Sequence, residues 1–478
     1  MTRVLAVAAA VALPTVAAWP LVSGLWAAGR PCALQRLGKV AAAAMAGLGI
    51  VSLASFFWLL AGGTLGRSYV AAEVPLLMLL WLALTAWRRR VTRREQSQAS
   101  AAREPVLPSG SVVWNVLATA LVGVALAFAL WRLIRIGADH PHGGWDAWAI
   151  WNHRARFIFR AGEDWREAFV PELSWSHVDY PLLLPLSVAR IWAYAGETTL
   201  APAVVAALFT LAAAATLAAG VAASAGPVAG ATAAILLLGT PGYVHMGASQ
   251  YADVPLGALL VVALVALLEA ERTGFPGRAR ALVLGGLFLG FAGWTKNEGL
   301  TAAAIVVLAR TLLSWRVRGL AASLRELVPL AAGAALPAAA WLAFHWSVAP
   351  PWAEEFIGQN RTALAQHLMD GDRWSLILSG VAKVLPGAEL HLLAVAAGLA
   401  ILLGARPRGV LRSPAFVSAA LLYAAVVAGF LVTPKPLAWH LATAADRLAM
   451  QPWPVLLLGL LASAAPEAGR AARESNLE

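Results

Sequence analysis

Long apolar runs separated by short polar breaks make up most of the chain. A helix needs about 20 predominantly apolar residues to cross a bilayer core of about 30 Å. Runs that approach this length lie at 4–28, 40–62, 69–87, 112–134, 200–222, 228–246, 254–271, 280–294, 298–315, 328–348, 386–404, 413–432 and 453–465. The pattern predicts an all-α polytopic membrane protein with about 12–14 transmembrane helices. The piece 181–196 is apolar but short and opens on Tyr180-Pro181-Leu182-Leu183-Leu184-Pro185, so it is expected to be re-entrant or interfacial. The run at 4–28 follows Arg3, as a signal peptide would. It is too long for an h-region and carries Pro14 and Pro20, so it reads as a membrane helix.

Composition agrees with this reading. Of 478 residues, 60% are hydrophobic and 13% are charged, and mean hydropathy is +0.71. Soluble domains average about 45–50% apolar and about 25% charged. The net charge of +11 does not signal nucleic acid, because Lys and Arg cluster in short loops between apolar runs, the positive-inside pattern. The 21 Trp residues suit membrane interfaces, where their rings are half apolar and half polar. Cys32 stands alone, which excludes a disulfide framework and a Cys-based metal site within the chain.

The basic loops set the expected orientation. Arg88, Arg89, Arg90, Arg93, Arg94 and Arg103 mark one cytoplasmic segment. Arg272, Arg278 and Arg280 mark a second, Arg316, Arg318 and Arg325 a third, and Arg406 and Arg408 a fourth. Walking outward places 136–180, 247–253, 295–298, 349–385 and 433–452 on the opposite face. Three parts follow: N-terminal helices with a basic loop (1–110), a membrane core with a large outer loop (111–348), and C-terminal helices with two further outer loops (349–478).

The polar motifs fall on that outer face. Lys296, Asn297 and Glu298 interrupt an apolar stretch with glycines on both sides, which predicts two helices meeting at a pocket. Lys296 and Glu298 are either a structural ion pair or a phosphate-binding cation with its orienter. In the loop 136–180, Trp148, Trp151, Ala155 and Phe159 recur at helical spacing beside a basic edge, which predicts an amphipathic helix in the interface plane. Asp146 at its head is either a helix-start carboxylate favoured by the dipole or a general base. His177, Asp179 and Tyr180 precede the Pro-interrupted run. Asp179 is a turn former, a second carboxylate or an orienter of sugar hydroxyls.

In Gln250-Tyr251-Ala252-Asp253-Val254-Pro255 the Asp is either an N-cap or a functional carboxylate where the chain re-enters lipid. His440, Arg447 and Gln451 precede the final apolar run. Arg447 and Gln451 share a helical face, and Arg447 either binds phosphate bidentately or snorkels to headgroups. The chain contains no Walker loop, dinucleotide fingerprint, Gly-x-Ser-x-Gly elbow or HExxH motif.

Together these motifs resemble the C-type (GT-C) superfamily of polytopic membrane glycosyltransferases, in its bacterial branch similar to protein O-mannosyltransferases and lipid A aminoarabinose transferases. Gly144-Trp145-Asp146-Ala147-Trp148 looks like the family's essential acidic residue in the first large outer loop. His177-Val178-Asp179-Tyr180-Pro181, Ala252-Asp253-Val254-Pro255, Thr295-Lys296-Asn297-Glu298-Gly299 and the stretch His440 to Pro454 resemble its later motifs, over roughly residues 110–460. The chain departs from many relatives in having about three helices before the acidic loop, a lone Asp146 in place of a pair, and no large C-terminal soluble domain.

The resemblance implies a GT-C-like core in a bacterial inner membrane with its site on the periplasmic or outer side. It implies a sugar donor on polyprenyl phosphate, and a glycan, lipid or protein acceptor in the cell envelope. Asp146, Asp179 and Asp253 would be the catalytic candidates. Lys296, Asn297, Glu298, His177, Tyr180, Gln250, Tyr251, His440, Arg447 and Gln451 would bind donor phosphate or substrate. No cofactor is certain, and a divalent metal stays an open alternative, though not an indicated one, since the loop carries a single Asp. The rival reading is a secondary transporter or lipid-linked sugar flippase, whose broken helices also bury ions.

Overall fold

The computed structural model describes residues 2–26, 32–99, 112–274, 277–350, 361–385 and 391–464. Arg103, the loop piece 351–360 and the outer ends of the expected spans 4–28, 386–404 and 453–465 lie outside the described residues. Every described element is helical. In chain order these are α1 (Arg3–Leu25), α2 (Ala33–Leu60), α3 (Arg67–Ala99), α4 (Val112–Asp139), α5 (Asn152–Ala161), α6 (Leu183–Ala195), α7 (Leu200–Ala225), α8 (Pro227–Gly239), α9 (Tyr243–Ala248), α10 (Asp253–Arg272), α11 (Gly277–Thr295) and α12 (Asn297–Arg318). There follow α13 (Leu320–Arg325), α14 (Leu327–Ser347), α15 (Arg361–Met369), α16 (Gly371–Val384), α17 (Leu392–Leu402), α18 (Pro407–Leu411), α19 (Pro414–Val432), α20 (Leu437–Met450) and α21 (Trp453–Leu461).

Among the described residues, nine helices are long and apolar enough to cross a membrane: α1, α2, α3, α4, α7, α10, α12, α13 with α14, and α19. The chain is thus an all-α protein suited to multiple membrane crossings, with fewer full-length spans than the runs predict. The difference has local causes. The expected span 228–246 breaks at Thr240-Pro241-Gly242, where Gly242 takes φ +85° and the proline removes a donor. What the runs suggest at 386–404 and 453–465 becomes the short helices α17 and α21. In α11, Arg278 and Arg280 occupy the first turn, so its apolar run is shorter than a span. A helix enclosed by protein need not match the bilayer thickness, because its neighbours and not lipid cover its ends.

Burial separates centre from rim. The apolar window of α10 is 89% buried, whereas those of α3 and α4 are 11% and 17% buried. Leu76, Met78 and Leu79 of α3 and Val124, Phe128 and Trp131 of α4 therefore form the exposed apolar surface expected to meet lipid. At the centre α11 packs on α10 and α14. The α11–α14 approach is close because Gly286 and Gly333 face opposing backbone. A Cβ on Gly286 would lie 2.0 Å from the Leu330 carbonyl oxygen, and one on Gly333 would lie 2.0 Å from that of Val283. Small residues at such crossings let helices associate in lipid, where apolar side chains gain nothing from leaving a medium like themselves.

The segment after Pro181 forms α6, 13 residues and hence about 20 Å long. It is packed against α1, α2 and α5. Its Arg190 is fully buried and pairs with buried Glu73 of α3 at 2.6 Å. Tyr69 and Tyr194 donate to the same carboxylate, and Arg190 donates to the Ala10 carbonyl. This buried network ties α6 to α1 and α3, and single charges inside apolar runs gave no sequence sign of it.

Candidate functional site

Five separated segments converge at one end of the helix assembly. The Asp253 end of α10, the break between α11 and α12, the loop 140–180, the end of α19 and the face of α20 together line a cavity of about 1210 Å³. The basic clusters at Arg272, Arg278 and Arg316 sit at the opposite ends of the same helices; α10 alone, 20 residues, separates them by about 30 Å. Every candidate site residue except Gln250 lines this cavity.

The break at Lys296 is local. α11 ends at Thr295, Lys296 is extended at φ −158°, and α12 begins at Asn297. Gly299 lets α12 start against α11, since a Cβ there would fall 1.9 Å from the Ala292 carbonyl oxygen. The buried Lys296 ammonium donates to Asp253 at 3.1 Å and lies 3.2 Å from Glu298. Both ends of the Asp253 pair are buried, at 6% and 1% side-chain exposure, whereas Glu298 is 38% exposed. Burial alone would lower the lysine pKa, but the Asp253 and Glu298 carboxylates override it and hold the ammonium protonated. Asp253 also accepts from Gln451. It makes no helix-capping bond, so its partners are tertiary.

Asp146 is likewise no cap: its side chain bonds no helix N–H, and it accepts from Arg447 of α20. The Arg447 guanidinium lies 5.3 Å above the Tyr251 ring. The loop before Asp146 is stitched to the α9–α10 turn by the bond from Gly144 N–H to the Ser249 carbonyl, 2.9 Å. Gln250 takes φ +60° and accepts from Asn152 at 2.6 Å. It is therefore a buried strut beneath the site and not a wall of it. A π-helical turn, Ala147–Trp151, precedes α5. Its wider winding shifts the expected stripe: Trp151, Ala155 and Ile158 are buried, while Trp148 is 42% exposed and packs edge-on against Trp145.

The opposite wall is aromatic and polar. Tyr180 lies between Trp151 and His177, near-parallel to both at 5.4 and 5.0 Å. His177 takes φ +54°, and the buried Arg154 guanidinium fixes this turn by donating to the Ser176 and His177 carbonyls, each at 2.9 Å. Burial keeps the His177 pKa below its ordinary value, so the ring is neutral near pH 7. Asp179 accepts from Asn297 at 2.6 Å. Tyr180 makes a long 3.5 Å bond to Glu298.

On α20, His440 meets the Thr433 hydroxyl at 2.8 Å. Its pKa is pushed down to about 4 by burial and by Lys435 and Arg447.

The sequence reading missed Lys435, Trp439 and Asp446, which also line the cavity. The first two lie beside a Pro-Lys-Pro turn that reads as an ordinary loop. Five carboxylates (Asp146, Asp179, Asp253, Glu298 and Asp446) face three cations (Lys296, Lys435 and Arg447) here. Among the described residues no cluster of three or more His, Cys, Asp or Glu side chains has the arrangement of a metal cage.

Away from its polar mouth the cavity has an apolar wall. Leu260 of α10, Ala302 of α12, and Leu422, Val426 and Phe430 of α19 line it. Leu260 stands seven residues into α10, about 10 Å beyond Asp253. No protein-family profile, curated protein or solved structure matches the chain.

Proposed function

We propose that the protein is an integral-membrane glycosyltransferase. It moves a sugar from a polyprenyl-phosphate donor to a hydroxyl of an envelope glycan, lipid or protein, at the outer face of a bacterial inner membrane. The observation that carries this reading is the two-part cavity. Its mouth gathers carboxylates, cations and aromatic rings, and its apolar wall runs along α10, α12 and α19 into the membrane-length helices. Such a shape suits a molecule with a polar, charged head and a lipid tail. The sugar lies against the exposed ring of Trp175, with hydroxyl partners in Asp179 and Asn297.

The chemistry follows from the leaving group. A phosphate ester departs as an anion and needs little acid help, so the protein must place a base and meet the developing charge. Asp146 is the base. Arg447 occupies its Oδ2, which leaves Oδ1 to take the acceptor hydroxyl proton. The acceptor oxygen attacks the anomeric carbon, the bond to the phosphate oxygen breaks, and the electron pair leaves on the phosphate. A single displacement inverts the anomeric centre.

The test is incubation of purified protein with a radiolabelled sugar on polyprenyl phosphate and an extract of envelope acceptors, beside the same donor in sealed liposomes. Label that moves to acceptor supports the proposal. Label that crosses the bilayer while still attached to its carrier shows a flippase instead.

A further inference from the structure

Of the three cations in the cavity, two are already neutralised. Lys296 lies between Asp253 and Glu298, and Arg447 is held by Asp146. Drawing either toward an anion would strand a carboxylate, which is expensive for Asp253 because it is buried. Among the described residues, Lys435 is the cavity-lining cation with no carboxylate within ion-pair reach. We infer that Lys435 is the anion-binding group of this cavity and that it takes the phosphate ester of a single-chain lipid carrier.

The surroundings of Lys435 support that role. It sits in the turn Thr433-Pro434-Lys435-Pro436 between α19 and α20. The two prolines fix the backbone on either side of it. The Thr433 hydroxyl accepts from Lys435 N–H at 3.2 Å and also contacts His440. Arg373 donates to the Phe430, Leu431 and Thr433 carbonyls at 3.0, 3.2 and 3.4 Å. The turn is thus held from both sides, and the side chain of Lys435 is the part left free to turn to a ligand. Its ammonium rests over Trp439 at 5.8 Å, a weak contact that an anion can replace. The turn opens onto α20, whose first turn holds no acidic residue and no side-chain cap, so its helix field has the same sign as the lysine.

The tail has a place as well. Phe430, Val426 and Leu422 line the cavity along α19, and α19 ends just before the turn. Phe430 and Leu422 stand eight positions apart, about 12 Å along the helix. A phosphate at Lys435 therefore sits at the polar end of an apolar path. Donor phosphates and bilayer headgroups share this chemistry, and the single-chain carrier follows from the proposed donor.

The inference rests on the proposed transferase reading for the sugar on that phosphate, but not for the anion site. The experiment uses full-length protein in neutral detergent and follows binding by tryptophan fluorescence. The probes are farnesyl phosphate, farnesol and phosphatidylglycerol. Wild type is expected to prefer farnesyl phosphate over farnesol by at least about tenfold, the scale of one charge-assisted hydrogen bond. K435M should cut that preference to threefold or less with farnesol binding unchanged, and K435R should keep it. A preference that survives in folded K435M overturns the assignment of Lys435, while sugar transfer seen in the same preparation keeps the transferase reading alive. A Lys435-dependent preference in a protein that transfers no sugar upholds the site and sinks that reading. Phosphatidylglycerol competing as well as farnesyl phosphate overturns the single-chain carrier.

Discussion

Replacing Lys296 with Met tests what the buried cation is for. The substitution keeps the length and apolar stem of the side chain and removes the charge. It leaves Asp253, 1% exposed, without the ammonium that lies 3.1 Å away. Breaking a buried pair by removing one partner costs about 3–5 kcal/mol. Gln451 still donates to Asp253 and retains about 1 kcal/mol of that, so the expected loss is about 2–4 kcal/mol. Adding Asp253→Asn removes the stranded charge while an amide oxygen still accepts from Gln451, and most of the loss should return. Adding Glu298→Gln instead should return little. That carboxylate is 38% exposed, where an ion pair is worth about 0–1 kcal/mol. The assay is equilibrium unfolding of the purified variants in mild detergent, read by tryptophan fluorescence as a double-mutant cycle. A Lys296→Met protein as stable as wild type would refute the reasoning. So would rescue by Glu298→Gln as large as by Asp253→Asn, for the structural partner would then be the sequence neighbour.

Three further predictions follow from other parts of the molecule. Gly286→Leu should separate α11 from α14 and cost at least about 2 kcal/mol by overpacking, read by the same unfolding assay, whereas Gly66→Ala, with open space around it, should not. The depressed His440 pKa, about 4 against an ordinary 6.5, means that its neutral form contributes stability in full above pH about 6.5, lost as pH falls toward 4. The thermal midpoint of wild type should therefore drop across that window, and His440→Asn should flatten that part of the profile. Cysteines placed at exposed Glu163 and Arg90 on a Cys32→Ser background should label from opposite sides of the membrane, and labelling of both from one side contradicts the positive-inside orientation.

The sequence made the break at Thr295 to Glu298 legible because three polar residues between glycines inside an apolar stretch can only be accommodated where a helix ends. It made the candidates legible as a set, since a single face collects them. It did not show who pairs with whom. Lys296 reads as the partner of Glu298, two residues on, but its buried partner is Asp253, 43 residues back in sequence, brought near by the packing of α10 on α11. Arg447 and Asp146 lie 301 residues apart, and no periodicity relates them. The stripe expected on α5 slipped because a π turn adds a residue to one winding, which apolar spacing cannot reveal. Gln250 looked like a ligand group because it is polar and sits beside Tyr251, and only the bond to Asn152 shows it to be a strut. Lys435 was invisible because a lysine between prolines in a polar loop looks like any surface turn, and its meaning appears only once the other two cations are seen to be paired.

The central claim is that this cavity transfers a sugar and releases a lipid phosphate, with Asp146 taking the acceptor proton. The most direct measurement counts released polyprenyl phosphate by mass spectrometry as purified protein turns over a defined lipid-linked sugar, for wild type and for Asp146→Asn. The account predicts one carrier phosphate released per sugar transferred by wild type, and a rate about 10²–10⁴-fold lower for a folded, inserted Asp146→Asn protein. Release at the wild-type rate from Asp146→Asn, or none from wild type with any donor of this class, would contradict it.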